Sequence, residues 1–251
     1  MDVMNKLGTE KRTAIVRALC EGNSVRATAR LTASAKATVL KLLVEIGEFC
    51  SIYQDHGLRN LTTTRVEADE LWAFVGAKAK NATKEGQGDI WTYTARDADS
   101  KLMISWLVGS RNSVNTKAFM ANVAERLANR VQLTTDGLGW YVCTGAIKTP
   151  IMGNPDRALV STSDVERSNL TIRMGTRRFT RLTNGFSKKA ENHAHAVSLF
   201  FMFYNYCKPH MTLTKENGGI KTTPAMAAGL TDRVWGVEDI LARMSDDSLL
   251  Q

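Results

Sequence analysis

Cysteine is scarce and scattered: Cys20, Cys50, Cys143 and Cys207 form no CxxC pair and have no histidine at finger spacing. That excludes a finger-type zinc site and leaves four reduced thiols, expected in a core. Long apolar runs are also missing. No stretch approaches the roughly 20 residues that a membrane span requires, and Met1-Asp2-Val3-Met4-Asn5 lacks the basic and apolar blocks of a secretion signal. The expectation is a protein of the cytoplasm with no membrane partner. Internal repeats and low-complexity blocks are absent too.

What is present fits an ordinary folded chain. A hydrophobic share of 43% beside a charged share of 23% argues against wholesale disorder. A length of 251 residues suits one main domain with a small satellite. Lysine and arginine outnumber aspartate and glutamate by 33 to 25, for a net charge of +8, which suggests a polyanionic partner, nucleic acid first. A basic enzyme whose surplus charge only aids solubility gives the same total, so distribution has to decide.

Ala14, Ile15, Ala18 and Leu19 recur at helical spacing before Gly22-Asn23 stops the run. Ser24 is a plausible N-cap for a second helix through Leu31, and a third begins at Ala35 after a turn at Thr32-Ala33-Ser34. Three small helices fit a helix-turn-helix whose last helix enters the DNA major groove, making Lys36, Thr38 and Lys41 candidates for base or phosphate contact. A packing or dimerisation module fits equally, and Ala33 stands where glycine is common. Residues 52–64 have weak periodicity and read as a connection, which puts a boundary near residue 60.

Leu71–Val75, Ile90–Thr94 and Leu102–Val108 are rich in aromatic and branched residues and read as three antiparallel strands. A helix from Thr116 to Ala128 follows, then a fourth strand, Val131–Thr135, ending at Asp136-Gly137. Helices are expected from about Asp164 to Met174 and from Ser187 to Tyr206, with a late one near Val237–Met244 in a tail to which no chemistry is assigned.

Three carboxylates stand at strategic points: Asp69 where the first strand turns strongly apolar, Asp136 at the end of the fourth, and Glu166 near a helix start. Half-burying such groups costs several kcal/mol unless a cation compensates. Mg²⁺ suits carboxylate oxygens, and two ions about 4 Å apart can clamp the attacking and leaving oxygens of a phosphoryl transfer. The bland account is that Asp69 and Asp136 flank turns while Glu166 complements a helix dipole. Asn169, Arg173 and Arg177 lie 3, 7 and 11 residues after Glu166 and share its helical face. A carboxylate followed by arginines can hold metal and DNA backbone together, and Arg178, Arg181, Lys188 and Lys189 extend the strip. A solvated helix with ordinary ion pairs is the alternative. His193 and His195, two apart on a helix, point apart and suit packing or a phosphate contact better than a shared metal. Trp72, Trp91 and Trp106 read as core.

Val66-Glu67-Ala68-Asp69-Glu70-Leu71-Trp72-Ala73-Phe74-Val75-Gly76, then Thr135-Asp136-Gly137, then Val165-Glu166-Arg167-Ser168-Asn169-Leu170 resemble the signatures of insertion-sequence-1 type transposases, in the same order. The likeness reaches from the helix-turn-helix to about Trp235, through Arg178-Phe179-Thr180-Arg181-Leu182-Thr183-Asn184 and Pro224-Ala225-Met226-Ala227-Ala228-Gly229. It implies an α/β fold: a ribonuclease-H-like mixed sheet flanked by helices, preceded by a small all-α helix-turn-helix domain. The implied domains are 1–60 (helix-turn-helix), 61–207 (catalytic) and 208–251 (tail), and the catalytic one departs from the family in looking shortened between 141 and 163. Asp69, Asp136 and Glu166 become the metal triad for two Mg²⁺ ions, with Mn²⁺ as a substitute, and Arg173 the basic residue one heptad after the glutamate. The implied partners are double-stranded DNA, as element ends and target, and further copies of the chain. The implied reaction is phosphodiester hydrolysis followed by attack of the freed 3′ hydroxyl on target DNA.

Two departures stand out. Relatives often carry an N-terminal zinc-binding cysteine cluster that this sequence lacks, so that portion is either absent or supplied by another polypeptide. Between Asp136 and Glu166, a helix and fifth strand are expected, yet only Trp140-Tyr141-Val142-Cys143, a Gly/Pro/Asn-punctuated stretch to Pro155 and Ala158-Leu159-Val160 are found. A catalytically decayed transposase that still binds DNA, a helix-turn-helix regulator, and a metal nuclease that cuts without rejoining are the rival readings.

Overall fold

The computed structural model describes residues 7–135, 156, 163–179 and 185–246, with the backbone alone for 163–166. Three helices open it: α1 (Thr9–Cys20), α2 (Val25–Leu31) and α3 (Lys36–Gly57). Ser24 caps α2, its Oγ accepting the Ala27 N–H at 3.1 Å. In the turn before α3, Ala33 adopts φ +44, the left-handed region that favours glycine. Local bonds hold it there: Ser34 N–H reaches the Ala29 carbonyl at 2.9 Å, and the Thr32 hydroxyl donates to Ser34 Oγ at 3.0 Å.

Helix α3 runs further than its periodicity predicts, so residues 52–57, expected as a connection, are helical. The cause is a polar residue on the inner face. Gln54 is fully buried, and its amide nitrogen donates to the Cys50 carbonyl at 2.9 Å and the Ser198 carbonyl at 3.2 Å, while Asn205 donates to its oxygen at 3.3 Å. A satisfied buried amide is tolerated in a core, but it breaks the apolar repeat that marks a helix in sequence.

The sheet has four strands: β1 (Arg65–Val75), β2 (Gly88–Asp97), β3 (Met103–Gly109) and β4 (Gln132–Thr135), in the order β3-β2-β1-β4. The first three pair antiparallel, and β4 runs parallel to β1. Helix α4 (Ser113–Arg126) carries the chain from the β3 edge to the β4 edge, the crossover that a parallel strand requires. This is the expected ribonuclease-H-like mixed sheet, with three antiparallel strands, a helix and a parallel fourth strand. Beyond it lie α5 (Ser163–Gly175), α6 (Ala190–Met202) and a π-helical turn, Phe203–Cys207. The tail holds α7 (Met211–Glu216), α8 (Pro224–Ala227) and α9 (Val237–Met244).

Because side chains alternate along a strand, β1 feeds two cores. Val66 and Ala68 join Tyr93, Ala95, Phe119 and Val123 in a cluster that continues into Ile15 and Val16 of α1, Leu43 and Ile46 of α3, and Ile240 and Leu241 of α9. Leu71, Ala73 and Val75 face the other way, against Ile172 of α5, Phe179, and Val197, Phe200 and Phe201 of α6. One hydrophobic cluster therefore runs across residues 60 and 207. Cys20, Cys50 and Cys207 lie buried in it as free thiols, with Cys20 and Cys50 pushed well up by burial and Cys207 up to about 12 for the same reason. Cys143 lies outside the described residues.

Two contacts fix the helical layer to the sheet domain. Helix α6 crosses α3 at Gly47, where an added Cβ would fall 2.4 Å from the Cβ of His195 and 2.6 Å from its carbonyl oxygen. Only glycine permits that approach. At the end of α4, Arg126 is buried and donates to the Gln54 carbonyl at 2.9 Å and to Asp55 Oδ1 at 2.6 Å. Burial alone would raise the Asp55 carboxyl, but the hydrogen bond from Arg59 and the charges of Arg126 and Arg59 outweigh it and hold the group below its ordinary range. Among the described residues no helix is long and apolar enough to cross a membrane.

Candidate active site

Asp69 sits in β1, buried at 7% exposure, on the face that meets α5 and α6. Its Oδ1 accepts the N–H of Glu70 at 2.7 Å, and its carbonyl accepts the Thr94 hydroxyl at 3.2 Å. Its Oδ2 accepts a hydrogen bond from the Asn169 amide of α5. The carboxylate's direction is thus set from its own strand and from a helix 100 residues away in sequence.

The neighbouring acids have other partners. Glu67, two residues earlier on the same face, accepts from Arg96 at 2.8 Å across the β1–β2 pair, and both side chains are almost wholly buried. Glu70 points to the opposite face, fully buried, 3.6 Å from Arg111, whose guanidinium lies 4.6 Å from the Trp91 ring centroid. Three acids within four residues are therefore not one cluster: alternation separates Glu70 from Asp69, and an internal arginine engages Glu67. No sequence pattern points to Arg96 or Arg111, since both pairings depend on how the strands and the loop after β3 fold back.

Strand β4 lies beside β1 in parallel register, with Glu67 opposite Thr134 and Ala68 opposite Thr135. The described register runs to one residue before Asp69 on one strand and one residue before Asp136 on the other. Asp136 itself lies outside the described residues, as do Arg181 and the segments Trp140–Cys143, Gly145–Pro155 and Ala158–Val160. Glu166 belongs to α5 through its backbone, and its side chain is not described. Asn169 stands one helical turn further on.

The basic candidates separate by environment. Arg173 is half-buried, while Arg177, Lys188 and Lys189 are exposed. Arg178 is half-buried and donates to Ser187 Oγ, and loss of water pulls its guanidinium down to about 10. It therefore points into the fold. His193 is wholly buried in edge contact with Phe179, near Thr92 and Ser187, and burial together with the Arg178 charge lowers it to about 3. It is a core residue, and His195 packs on Gly47, so the two share no metal. In the N-terminal helices Lys36 and Lys41 are exposed, Thr38 is half-buried, and Lys41 lies 3.9 Å from Glu45.

Among the described residues no three His, Cys, Asp or Glu side chains gather as a metal site; Asp136 and the Glu166 side chain are not in that set. What is described fits a hard cation: a buried carboxylate with its direction fixed, and beside it the Asn169 amide oxygen, buried with no hydrogen-bond partner among the described residues.

A mixed sheet carrying a buried aspartate on its first strand, with a parallel strand beside it and a helix tied to it, has the strand order of a ribonuclease-H-like fold. Residues 63–207 match the model of the IS1 transposase family, and the chain belongs to that family. It is similar to the insertion element iso-IS1n protein InsB of Shigella dysenteriae, 28% identical over 141 residues, covering 55% of this chain and 96% of that protein. It is likewise similar to the insertion element IS1 protein InsB of Shigella sonnei, 26% identical over 140 residues, covering 56% of this chain and 95% of that protein. A pre-cleavage Mos1 transpososome aligns at 10% identity with a TM-score of 0.26 over 80% of this chain and 79% of that one, too loosely for any inference.

Proposed function

We propose that the chain is a catalytically competent DDE transposase that binds the ends of its element, cleaves the phosphodiester there and joins the freed 3′ end to target DNA. The observation that carries this reading is the bond between Asn169 and Asp69. It ties the helix bearing Glu166 to the strand bearing Asp69, while the β1–β4 register brings the chain to Asp136 from the adjacent strand. These two observations support one shared site for Asp69, Asp136 and Glu166 beside β1.

Those three residues would hold the cation, with Mg²⁺ expected and Mn²⁺ as substitute. When bound there, two such ions neutralise charge on the attacking and leaving oxygens of an in-line displacement. The protein's own part is positional. Arg173 takes the part of the basic residue one heptad after Glu166, and the exposed Arg177, Lys188 and Lys189 hold backbone phosphates. Arg178 and Arg181 belong to the same segment; Arg178 acts through Ser187 and the core rather than on DNA. Water attacks the phosphodiester at the element end, and the released 3′ hydroxyl then attacks a target phosphodiester, expelling its 3′ oxygen, with no covalent enzyme intermediate.

In functional terms residues 1–60 read DNA, 61–207 carry the chemistry and 208–251 complete the core. Lys36, Thr38 and Lys41 stand at the start of α3, the end that a helix-turn-helix presents to the major groove. Two DNA ends must meet in one complex, so the active assembly contains more than one copy.

The test mixes the full chain with DNA from the gene's flanks and Mg²⁺, beside Asp136→Asn. Joined products that need both metal and Asp136 support the reading. Specific binding without any nick overturns it in favour of a decayed transposase, and nicks without joining favour a nuclease.

A further inference from the structure

We infer that Asn169 is a positioning residue for the metal-binding carboxylate Asp69, not a contact to DNA. This rests on the assignment of Asp69 to the metal. Spacing puts Asn169 on the Glu166 face and suggests a basic, phosphate-facing strip, but the geometry separates it from that strip. It is buried at 6% exposure, and its amide nitrogen donates to Asp69 Oδ2. Burial and the bond to Asp69 together turn that amide away from a phosphate at the surface.

The chemistry of the side chain suits the task. A lysine or arginine at this position would neutralise Asp69 and compete with a cation for it. A neutral amide fixes the direction of one carboxylate oxygen and leaves the negative charge in place. The Glu70 N–H does the same for the other oxygen, at 2.7 Å. The contact also sets a distance: Asn169 is one turn from Glu166, so the bond fixes how far the Glu166 turn of α5 stands from β1. The amide oxygen, buried without a hydrogen-bond partner among the described residues, is a second sign that the group is placed for something other than stability. Groups that orient metal ligands in this way typically change metal affinity about 10- to 100-fold when removed.

The experiment measures Mn²⁺ binding by electron paramagnetic resonance of the free ion, on the full chain bound to uncleavable end DNA, for wild type, Asn169→Ala, Asn169→Asp and Asp69→Asn. End-DNA affinity in EDTA is measured in parallel, with Arg177→Ala as the phosphate-contact control. Asn169→Ala is expected to weaken Mn²⁺ binding about 10-fold or more and to leave EDTA-state DNA affinity unchanged. Asn169→Asp sets two carboxylates side by side, so Mn²⁺ should raise its thermal midpoint more than that of wild type. Unchanged Mn²⁺ binding by Asn169→Ala, or a loss of EDTA-state DNA affinity matching Arg177→Ala, overturns the inference. If Asn169→Ala fails to fold by circular dichroism, a metal-induced rise in Asn169→Asp no larger than in wild type overturns it. If instead Asp69→Asn binds Mn²⁺ as wild type does, the metal assignment itself is wrong and the inference falls with it.

Discussion

Mild acid should destabilise this protein through one buried imidazole. His193 is wholly buried and its folded pKa lies at about 3, against an ordinary 6.5, because burial and the Arg178 charge both oppose protonation. Between those two values the unfolded chain binds a proton at His193 that the folded chain does not, so stability rises with pH across that window and is lost on acidification. At 1.36 kcal/mol per pH unit, moving from pH 7.5 to pH 5 removes about 2 kcal/mol. The carboxylates Asp55, Asp99 and Asp239 are shifted in the same direction but in a lower window: their stabilisation is present above the ordinary 3.8 and is lost only as pH falls below it. They are therefore silent at pH 5. Urea denaturation of wild type and His193→Gln at the two pH values isolates the term, since every other histidine contributes equally to both proteins. Wild type should lose about 2 kcal/mol more than the variant. Equal losses would refute the reasoning and mean that the imidazole is protonated in the folded state.

Other expectations follow from the contacts that join the helices to the sheet and from the exposed bases. Gly47→Ala forces a Cβ into His195 and should cost about 1–3 kcal/mol by chemical denaturation; a neutral result would mean that α3 and α6 separate easily. Arg126→Ala leaves Asp55 and the α3 carbonyls without their donor and should cost about 2 kcal/mol; a loss within about 0.5 kcal/mol would show that the contact is dispensable. Lys36→Ala and Lys41→Ala should each lower the slope of log affinity against log salt for end DNA by roughly 0.9, whereas unchanged slopes would remove α3 from the interface.

The sequence made the strands and their order legible because β-branched and aromatic runs are separated by Gly86, Gly88, Asp97 and Asp99, and local turn chemistry fixes hairpins. The first two helices were legible through Gly22 and the Ser24 cap. Features that depend on remote partners were not. The second half of α3 was hidden by Gln54, whose buried amide is satisfied by Ser198 and Asn205. The end of α6 was expected as plain helix; the π turn instead holds Asn205 where it donates to the Met103 carbonyl at 3.0 Å and accepts the Met103 N–H at 2.9 Å, completing the start of β3. At the site, helical spacing put Asn169 on the Glu166 face, but whether that face met DNA or Asp69 depended on how α5 docks on β1. Arg178 shows the same limit: its charge suggests DNA, and its geometry turns it to Ser187.

Asp69, Asp136 and Glu166 are expected to share a cation beside β1. The most direct measurement is anomalous diffraction at the manganese edge from crystals of the full chain with uncleavable end DNA and Mn²⁺. An anomalous peak is expected within coordination distance, about 2.0–2.4 Å, of an oxygen of each of the three carboxylates. A peak bound elsewhere, or Asp69 still held by Asn169 with the metal absent from it, would rule out a shared metal site.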